Sequence, residues 1–62
     1  MKVKDLREVM DDCWFVLFDC EDEIIWDEEE SGEIPRNLLK KKVKVAVAFE
    51  DENDETYIGV EI

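Results

Sequence analysis

Residues 13–30, "CWFVLFDCEDEIIWDEEE", decide the fold that the sequence predicts. This stretch holds both tryptophans and both cysteines of the chain, and it joins the most apolar run directly to the most acidic one. Positions 13–19 and 24–27 are rich in aromatic and β-branched residues. The polar "CEDE" between them suits a turn, so we predict a β-hairpin.

A three-residue loop in this hairpin would sort its side chains onto two faces, because successive residues of a strand point to opposite sides. One face would carry Trp14, Val16, Phe18, Ile24 and Trp26. The other would carry Cys13, Phe15, Leu17 and Ile25. A register shifted by one residue would change the pairs and still leave both faces apolar.

The rest of the chain predicts two short helices and a second hairpin. The apolar residues of "MKVKDLREVMDD" recur at the spacing of one helix face; they are Val3, Leu6, Val9 and Met10. In "IPRNLLKKK", Pro35 suits the first helical turn and the lysines suit the last. "VKVAVAF" and "TYIGVEI" alternate as strands on either side of the turn "EDENDE".

The element order α-β-β-α-β-β predicts one small acidic α+β domain over residues 1–62, an antiparallel four-stranded sheet with two short helices on one face. The uncovered face would be flat and apolar, which favours a homodimer through it. The residues of this predicted dimer face are Phe15, Leu17, Ile25, Ala46, Ala48 and Tyr57. Alternatively, the first hairpin folds over the second as two layers and covers the same residues.

Size and composition argue against an enzyme. A chain of 62 residues buries only about 60% of its surface and offers no large cleft. It contains no histidine, and Ser31 and Thr56 are its single serine and threonine. Nucleophile systems of the Ser-His or Cys-His type therefore cannot form within one chain. We predict no catalytic residue and no cofactor.

The acidic runs match metal-binding loops only in part. From Asp19, acids stand at every ligand position of an EF-hand, but Ile24 occupies the position that requires glycine. The run from Asp51 also lacks glycine and ends at Ile62. We predict no dedicated metal site, and weak divalent-ion binding at "DEEE" or "EDENDE" stays an alternative.

The two cysteines are predicted to be reduced. Cys13 and Cys20 would lie roughly 23 Å apart in one extended run, too far for a disulfide. No signal-peptide pattern is present at the start, so we expect a reducing, cytoplasmic setting. No apolar stretch approaches the roughly 20 residues of a membrane span.

A net charge of -11 disfavours direct binding to nucleic acid or to a membrane, and it favours a basic protein surface as partner. The basic residues Arg36, Lys40, Lys41, Lys42 and Lys44 are divided between a helix end and a strand. Carboxylates along two hairpin loops can imitate a row of phosphates. In an antiparallel sheet both loops can lie at one end. The predicted partner-binding acids are Asp19, Glu21, Asp22, Glu23, Asp27, Glu28, Glu29, Glu30, Glu50, Asp51, Glu52, Asp54 and Glu55.

The segments "MKVKDL" and "IPRNLLKKKVKVAVAFEDENDETYIGVEI" resemble short acidic proteins encoded by phages, prophages and mobile elements of Gram-positive bacteria. In those proteins an opening helix and an "IP..LL...V" segment frame pairs of strands. The resemblance implies an accessory role in the host cytoplasm, and some small acidic phage proteins, anti-CRISPR proteins among them, inhibit host defence nucleases. We therefore predict a non-enzymatic acidic protein-binding module that mimics nucleic-acid charge on a basic host protein. The alternative is a homodimeric structural or assembly protein.

Overall fold

The computed structural model describes residues 1–62, which form three short helices and one four-stranded sheet. The elements are α1 (Val3–Val9), β1 (Trp14–Phe18), β2 (Ile24–Asp27), α2 (Glu28–Ser31), α3 (Arg36–Leu39), β3 (Val45–Glu50) and β4 (Thr56–Glu61). The strand order is β2-β1-β4-β3. The α+β class and both hairpins are confirmed. The predicted order α-β-β-α-β-β is wrong, because a third short helix, α2, follows β2 directly.

The central pair of strands runs parallel, so the prediction of a wholly antiparallel sheet is wrong. Strands β1 and β2 are antiparallel, as are β3 and β4, but β1 pairs with β4 in parallel, with Phe15 opposite Ile58 and Leu17 opposite Val60. The reason is the connection over residues 28–44, which leaves one end of the sheet and returns to the other. Strand β3 therefore runs in the same direction as β2, and β4 runs in the same direction as β1.

The core lies between the sheet and the helices on one face. Its buried members are Val3, Phe15, Leu17, Ile34, Ile58 and Val60, with Leu6, Met10, Leu38 and Leu39 packed against them. Helices α1 and α3 thus cover the same face, as predicted. Val9 is an exception to the predicted apolar stripe, because it is the last residue of α1 and is 77% exposed.

A bulge in the first hairpin changes its predicted faces. Leu17 pairs with Trp26 and Phe18 with Ile24, so Ile25 has no partner on β1. An extra residue reverses the alternation of side chains beyond it. Trp26 therefore shares the helix-covered face with Leu17, and the predicted rows that joined Trp26 to Phe18 and Ile25 to Leu17 are wrong.

The two hairpin loops, residues 19–23 and 51–55, have the same geometry. In each, the first aspartate accepts hydrogen bonds from the backbone N–H groups of the third and fifth residues, at 2.8 and 3.1 Å for Asp19 and 2.8 and 3.0 Å for Asp51. The fourth residue, Asp22 or Asp54, is left-handed with φ of 63° or 62°. This is a turn followed by one left-handed residue, a usual three-residue hairpin connection.

Candidate protein-binding face

The sheet face opposite the helices carries an apolar surface, here called the open face. Cross-strand pairing defines it, because directly paired residues point to the same side. Three rows cross the sheet: Trp14, Tyr57 and Phe49; Val16, Gly59 and Val47; Phe18, Glu61 and Val45. Val16 and Tyr57 are buried within this face but do not belong to the helix-covered core.

Large apolar side chains on the open face are exposed. Val47 is 57% exposed, Val45 53%, and Trp14 and Phe49 41% each. Isolated apolar side chains are ordinary on a protein surface, but a contiguous group of them usually marks an interface. The open face is such a group.

A depression lies between the middle row of the open face and the row nearest the first hairpin loop. It has a volume of about 250 Å³, and its lining includes Phe18, Val45, Val47 and Gly59. A Cβ atom at Gly59 would lie 3.2 Å from Phe18 Cε2 and 3.3 Å from Phe49 Cε1, so the two rings lean over the glycine. The missing side chain lets the aromatic rings approach each other across β4.

One end of the sheet is strongly acidic. Because β1 and β4 are parallel, the end at which they begin also receives the residues after β2 and the loop between β3 and β4. We call this region the acidic end. Its acids are Asp11, Asp12, Asp27, Glu28, Glu29, Glu30, Glu50, Asp51, Glu52, Asp54 and Glu55.

The Tyr57 hydroxyl joins the acidic end to the open face. It lies within hydrogen-bond distance of Glu29, of Asp51 Oδ2 at 3.1 Å and of Glu55 Oε2 at 3.4 Å. The Tyr57 ring stacks on Phe49 with centroids 5.4 Å apart. A phenol donates only one proton, so it satisfies one of the three carboxylates at a time.

The pKa values at this position follow from these contacts. The hydrogen bond to Glu29, together with desolvation and the bond to Asp51, raises the pKa of Tyr57 above its ordinary value of 10.0. The backbone N–H of Glu55, assisted by that of Asn53 and by the tyrosine hydroxyl, lowers the pKa of Asp51. The carboxylates thus hold the phenol in its protonated form, and the loop holds Asp51 in its ionised form.

Glu28 differs from the acids beside it because it is a structural residue. It is 7% exposed, its Oε1 accepts the buried Phe15 N–H at 3.2 Å, and its Oε2 accepts Arg7 Nε at 2.8 Å. The Arg7 guanidinium also lies 5.1 Å from the centre of the Phe15 ring. The Glu28 carboxylate accepts the Phe15 N–H at the point where β2 ends and no longer supplies a backbone acceptor. Glu28 is therefore not available to bind another protein.

The predicted acidic surface is divided between the two ends of the sheet. The loop of residues 19–23 follows β1, and the loop of residues 51–55 precedes β4. Because β1 and β4 are parallel, these loops lie at opposite ends, and the predicted merging of Asp19, Glu21, Asp22 and Glu23 with the second loop is wrong. Among the other predicted acids, those of residues 27–30 lie at the same end of the sheet as the loop of residues 51–55.

The predicted dimer face is not one surface. Phe15 and Leu17 have no exposed area and lie under the helices. Ala46 and Ala48 pair with Val60 and Ile58 and share that face, whereas Tyr57 belongs to the open face and Ile25 to the bulge. The sequence predicted an uncovered apolar face, but it assigned the wrong residues to it. Alternation in β3 separates Val45, Val47 and Phe49 from Ala46 and Ala48, but it does not show which of the two rows the helices cover.

The lysines lie away from the acidic end. Val3 N–H donates to Lys41 O at 2.9 Å, and Val43 N–H donates to Met1 O at 2.8 Å, which ties the start of α1 to the segment before β3. Lys2, Lys4 and the lysines of residues 40–44 therefore lie at the opposite end of the sheet. They share that end with the acids of residues 19–23, so the net negative charge is concentrated at the acidic end.

The two thiols lie at opposite ends of β1 and are not bonded to each other. Cys20 is exposed in the first loop, and Cys13 is half-buried beside Asp12. Desolvation and the hydrogen bond to Asp12 raise the pKa of the Cys13 thiol. A raised pKa keeps this thiol protonated and unreactive.

The chain matches no protein-family model, no curated protein and no solved structure. No helix of the fold has both the length and the apolar character to cross a membrane.

Proposed function

We propose that this chain is a non-enzymatic protein-binding module that binds a basic protein through the open face and the acidic end together. One observation carries the proposal. The aromatic row of Trp14, Tyr57 and Phe49 borders directly on the carboxylates of Glu29, Asp51 and Glu55.

This combination suits a protein interface. Binding energy at interfaces is concentrated in a few aromatic and arginine residues, surrounded by a polar rim. Trp14 and Phe49 are the exposed aromatic residues, and the acidic end supplies a rim of one sign. Arginine matches such a rim well, because its guanidinium binds carboxylates in pairs and also stacks on aromatic rings.

The carboxylates around Tyr57 also favour a cationic partner. Three acids converge on one hydroxyl, and no basic side chain of this chain forms an ion pair with them, since the one salt bridge joins Arg7 to Glu28. Like charges held close together repel each other. An arginine or lysine of a partner would relieve this repulsion on binding.

The concrete form of the proposal is a nucleic-acid-handling protein as the partner. Its phosphate-binding surface would be basic, and the carboxylates of the acidic end would take the place of phosphates. The chain would then inhibit its partner by competing with nucleic acid. This role agrees with the resemblance to small acidic phage proteins, which supports an inhibitor of host defence in the host cytoplasm.

The test compares two variants of equal charge. The first, E29Q/E30Q/E55Q, neutralises three acids at the acidic end. The second, E21Q/D22N/E23Q, neutralises three acids in the loop at the other end. Both raise the net charge from -11 by the same amount, so nonspecific electrostatics are matched.

Immobilised wild type and both variants are exposed to lysate of the source cells, and retained proteins are identified by mass spectrometry. We expect a basic nucleic-acid-binding protein that the wild type and E21Q/D22N/E23Q retain and that E29Q/E30Q/E55Q loses. Double-stranded DNA and added salt should both release it, because the contacts are phosphate-like and screened. Equal retention by the two variants, or retention that resists DNA and salt, would refute the proposal.

A further inference from the structure

The edge strand β3 is unusually accessible for its composition. All six of its residues are exposed, and the run from Val45 to Phe49 is entirely apolar. Natural proteins protect sheet edges with bulges, prolines, charges or very short strands. The opposite edge, β2, has such protection, since it has four residues, a bulge at its start and Asp27 at its end. The middle of β3 has none.

The helix layer also stops short of this edge. An apolar groove of about 130 Å³ runs between α1 and β3, and its lining includes Leu6, Met10, Ala46 and Ala48. The small side chains of Ala46 and Ala48 leave the backbone of β3 accessible from this side as well. A second strand can therefore approach the edge without meeting a helix.

The hydrogen-bond alternation of the hairpin shows which backbone groups face outward. Asp51 N–H donates to Glu55 O at 3.1 Å, which makes these two residues a hydrogen-bonded pair. In an antiparallel ladder such pairs recur at every second residue. Val45, Val47 and Phe49 are therefore bonded to β4, and the N–H and C=O groups of Ala46 and Ala48 point away from the sheet.

We propose that β3 pairs with β3 of a second copy of this chain in antiparallel orientation, with Val47 on the two-fold axis. The outward groups of Ala46 then meet those of Ala48 in the partner copy, and symmetry doubles this pair to give four main-chain hydrogen bonds. On the open face, Val45 lies opposite Phe49 of the second copy. The two four-stranded sheets become one sheet of eight strands.

Charge complementarity favours a second copy of this chain as the partner that pairs with the β3 edge. Strand β3 follows the lysines of residues 40–44 and leads into the acids of residues 50–55. In the antiparallel register centred on Val47, Lys44, which directly precedes β3, lies near Glu50 at the end of β3 in the second copy. Opposite charges that face each other across strands are stabilising, and like charges are destabilising. The lysines that precede β3 in each copy thus lie beside the acids that follow β3 in the other.

A charge-swap series tests this register. The variants K44E and E50K each place like charges opposite one another, and each should weaken dimerisation about tenfold, because every contact occurs twice. The double variant K44E/E50K restores opposite charges across the interface and keeps the wild-type net charge, so it should restore the wild-type dissociation constant. Sedimentation equilibrium measures all four constants.

A second variant removes the backbone pairing alone. Proline has no backbone N–H group, and the N–H group of Ala48 points away from β4. A48P should therefore keep the hairpin between β3 and β4 and lose the dimer. Circular dichroism checks that the variant is folded. Hydrogen exchange gives an independent measurement, since the Ala46 and Ala48 amides of the wild type should become protected as protein concentration rises.

Three results would overturn the proposal. The wild type could remain a single chain at concentrations up to about 1 mM. A folded A48P variant could dimerise as the wild type does, which would place the interface elsewhere. The E50K variant could dimerise more tightly than the wild type, which would mean that net charge, not the facing pair, controls association. These tests use no basic partner, so they are independent of the proposed function.

Discussion

Replacing Glu28 by alanine should remove a large part of the stability of this domain. The carboxylate accepts two hydrogen bonds, one from the Phe15 N–H and one from Arg7. Phe15 has no exposed area, so water cannot replace the lost acceptor at its N–H. The Arg7 side chain is 27% exposed and keeps part of its hydration.

The magnitude follows from these two contacts. An orphaned buried N–H group costs about 1–3 kcal/mol, and a partly exposed ion pair contributes about 1 kcal/mol after screening, so E28A should lose about 2–4 kcal/mol. A domain of this size is stable by roughly 3–9 kcal/mol, which makes the loss a large fraction of the whole. The variant E28Q retains one acceptor oxygen and should lose about half as much.

Urea denaturation followed by tryptophan fluorescence measures the effect. With a denaturant slope of about 1 kcal/mol/M, the unfolding midpoint of E28A should fall by roughly 2–4 M. The control is E30A, which removes an exposed acid from the same helix and should change stability by less than about 0.5 kcal/mol. Equal midpoints for E28A and E30A would refute the structural role of Glu28 and return it to the partner-binding acids.

Three further predictions concern the loops and Tyr57. Because the folded pKa of Tyr57 is raised, its hydroxyl stabilises the fold below about pH 10 and loses this contribution as the pH rises further. Above about pH 10 the urea midpoint should therefore fall more steeply for wild type than for Y57F; parallel curves would contradict this. Asp51 has a lowered folded pKa, so it stabilises the fold above about pH 4 and loses this contribution as the pH falls, and D51A should flatten the acid limb of the stability curve. If D51A left the acid limb of the stability curve unchanged, the loop would not stabilise the ionised form of the Asp51 carboxylate. D22A and D54A should each lose about 1 kcal/mol in thermal unfolding, because alanine is strained at left-handed φ, whereas D22G and D54G should not; equal losses for alanine and glycine would exclude strain as the cause.

Local patterns in the sequence were sufficient to predict most elements. The strict alternation of "VKVAVAF" and "TYIGVEI" specified the second hairpin, since each strand has only one way to separate its side chains. Pro35 and the leucines after it correctly marked a short helix. The sequence also predicted that one apolar sheet face would remain uncovered, because both sides of the first hairpin are apolar and two short helices cover only one.

Other features depend on contacts between distant parts of the chain. Nothing in β1 or β4 alone distinguishes a parallel from an antiparallel pairing, because both satisfy the same alternation. Within "DEEE", Glu28 and Glu30 are equivalent until the fold brings Arg7 and Phe15 beside one of them. The bulge at Ile25 lies in a run of apolar residues that fits several registers. These three features decide which acids and which aromatic residues are accessible.

The parallel pairing in the centre of the sheet also predicts how the domain folds. Each hairpin joins neighbouring parts of the chain, but β1 and β4 pair residues far apart in sequence, such as Trp14 with Tyr57. Closing so long a loop is entropically unfavourable, and such contacts are associated with slow folding. We expect docking of the two hairpins to limit the folding rate, so both hairpins are already formed in the transition state. Destabilising substitutions in the two hairpin loops, and those along the seam between β1 and β4, should therefore slow folding more than they speed unfolding.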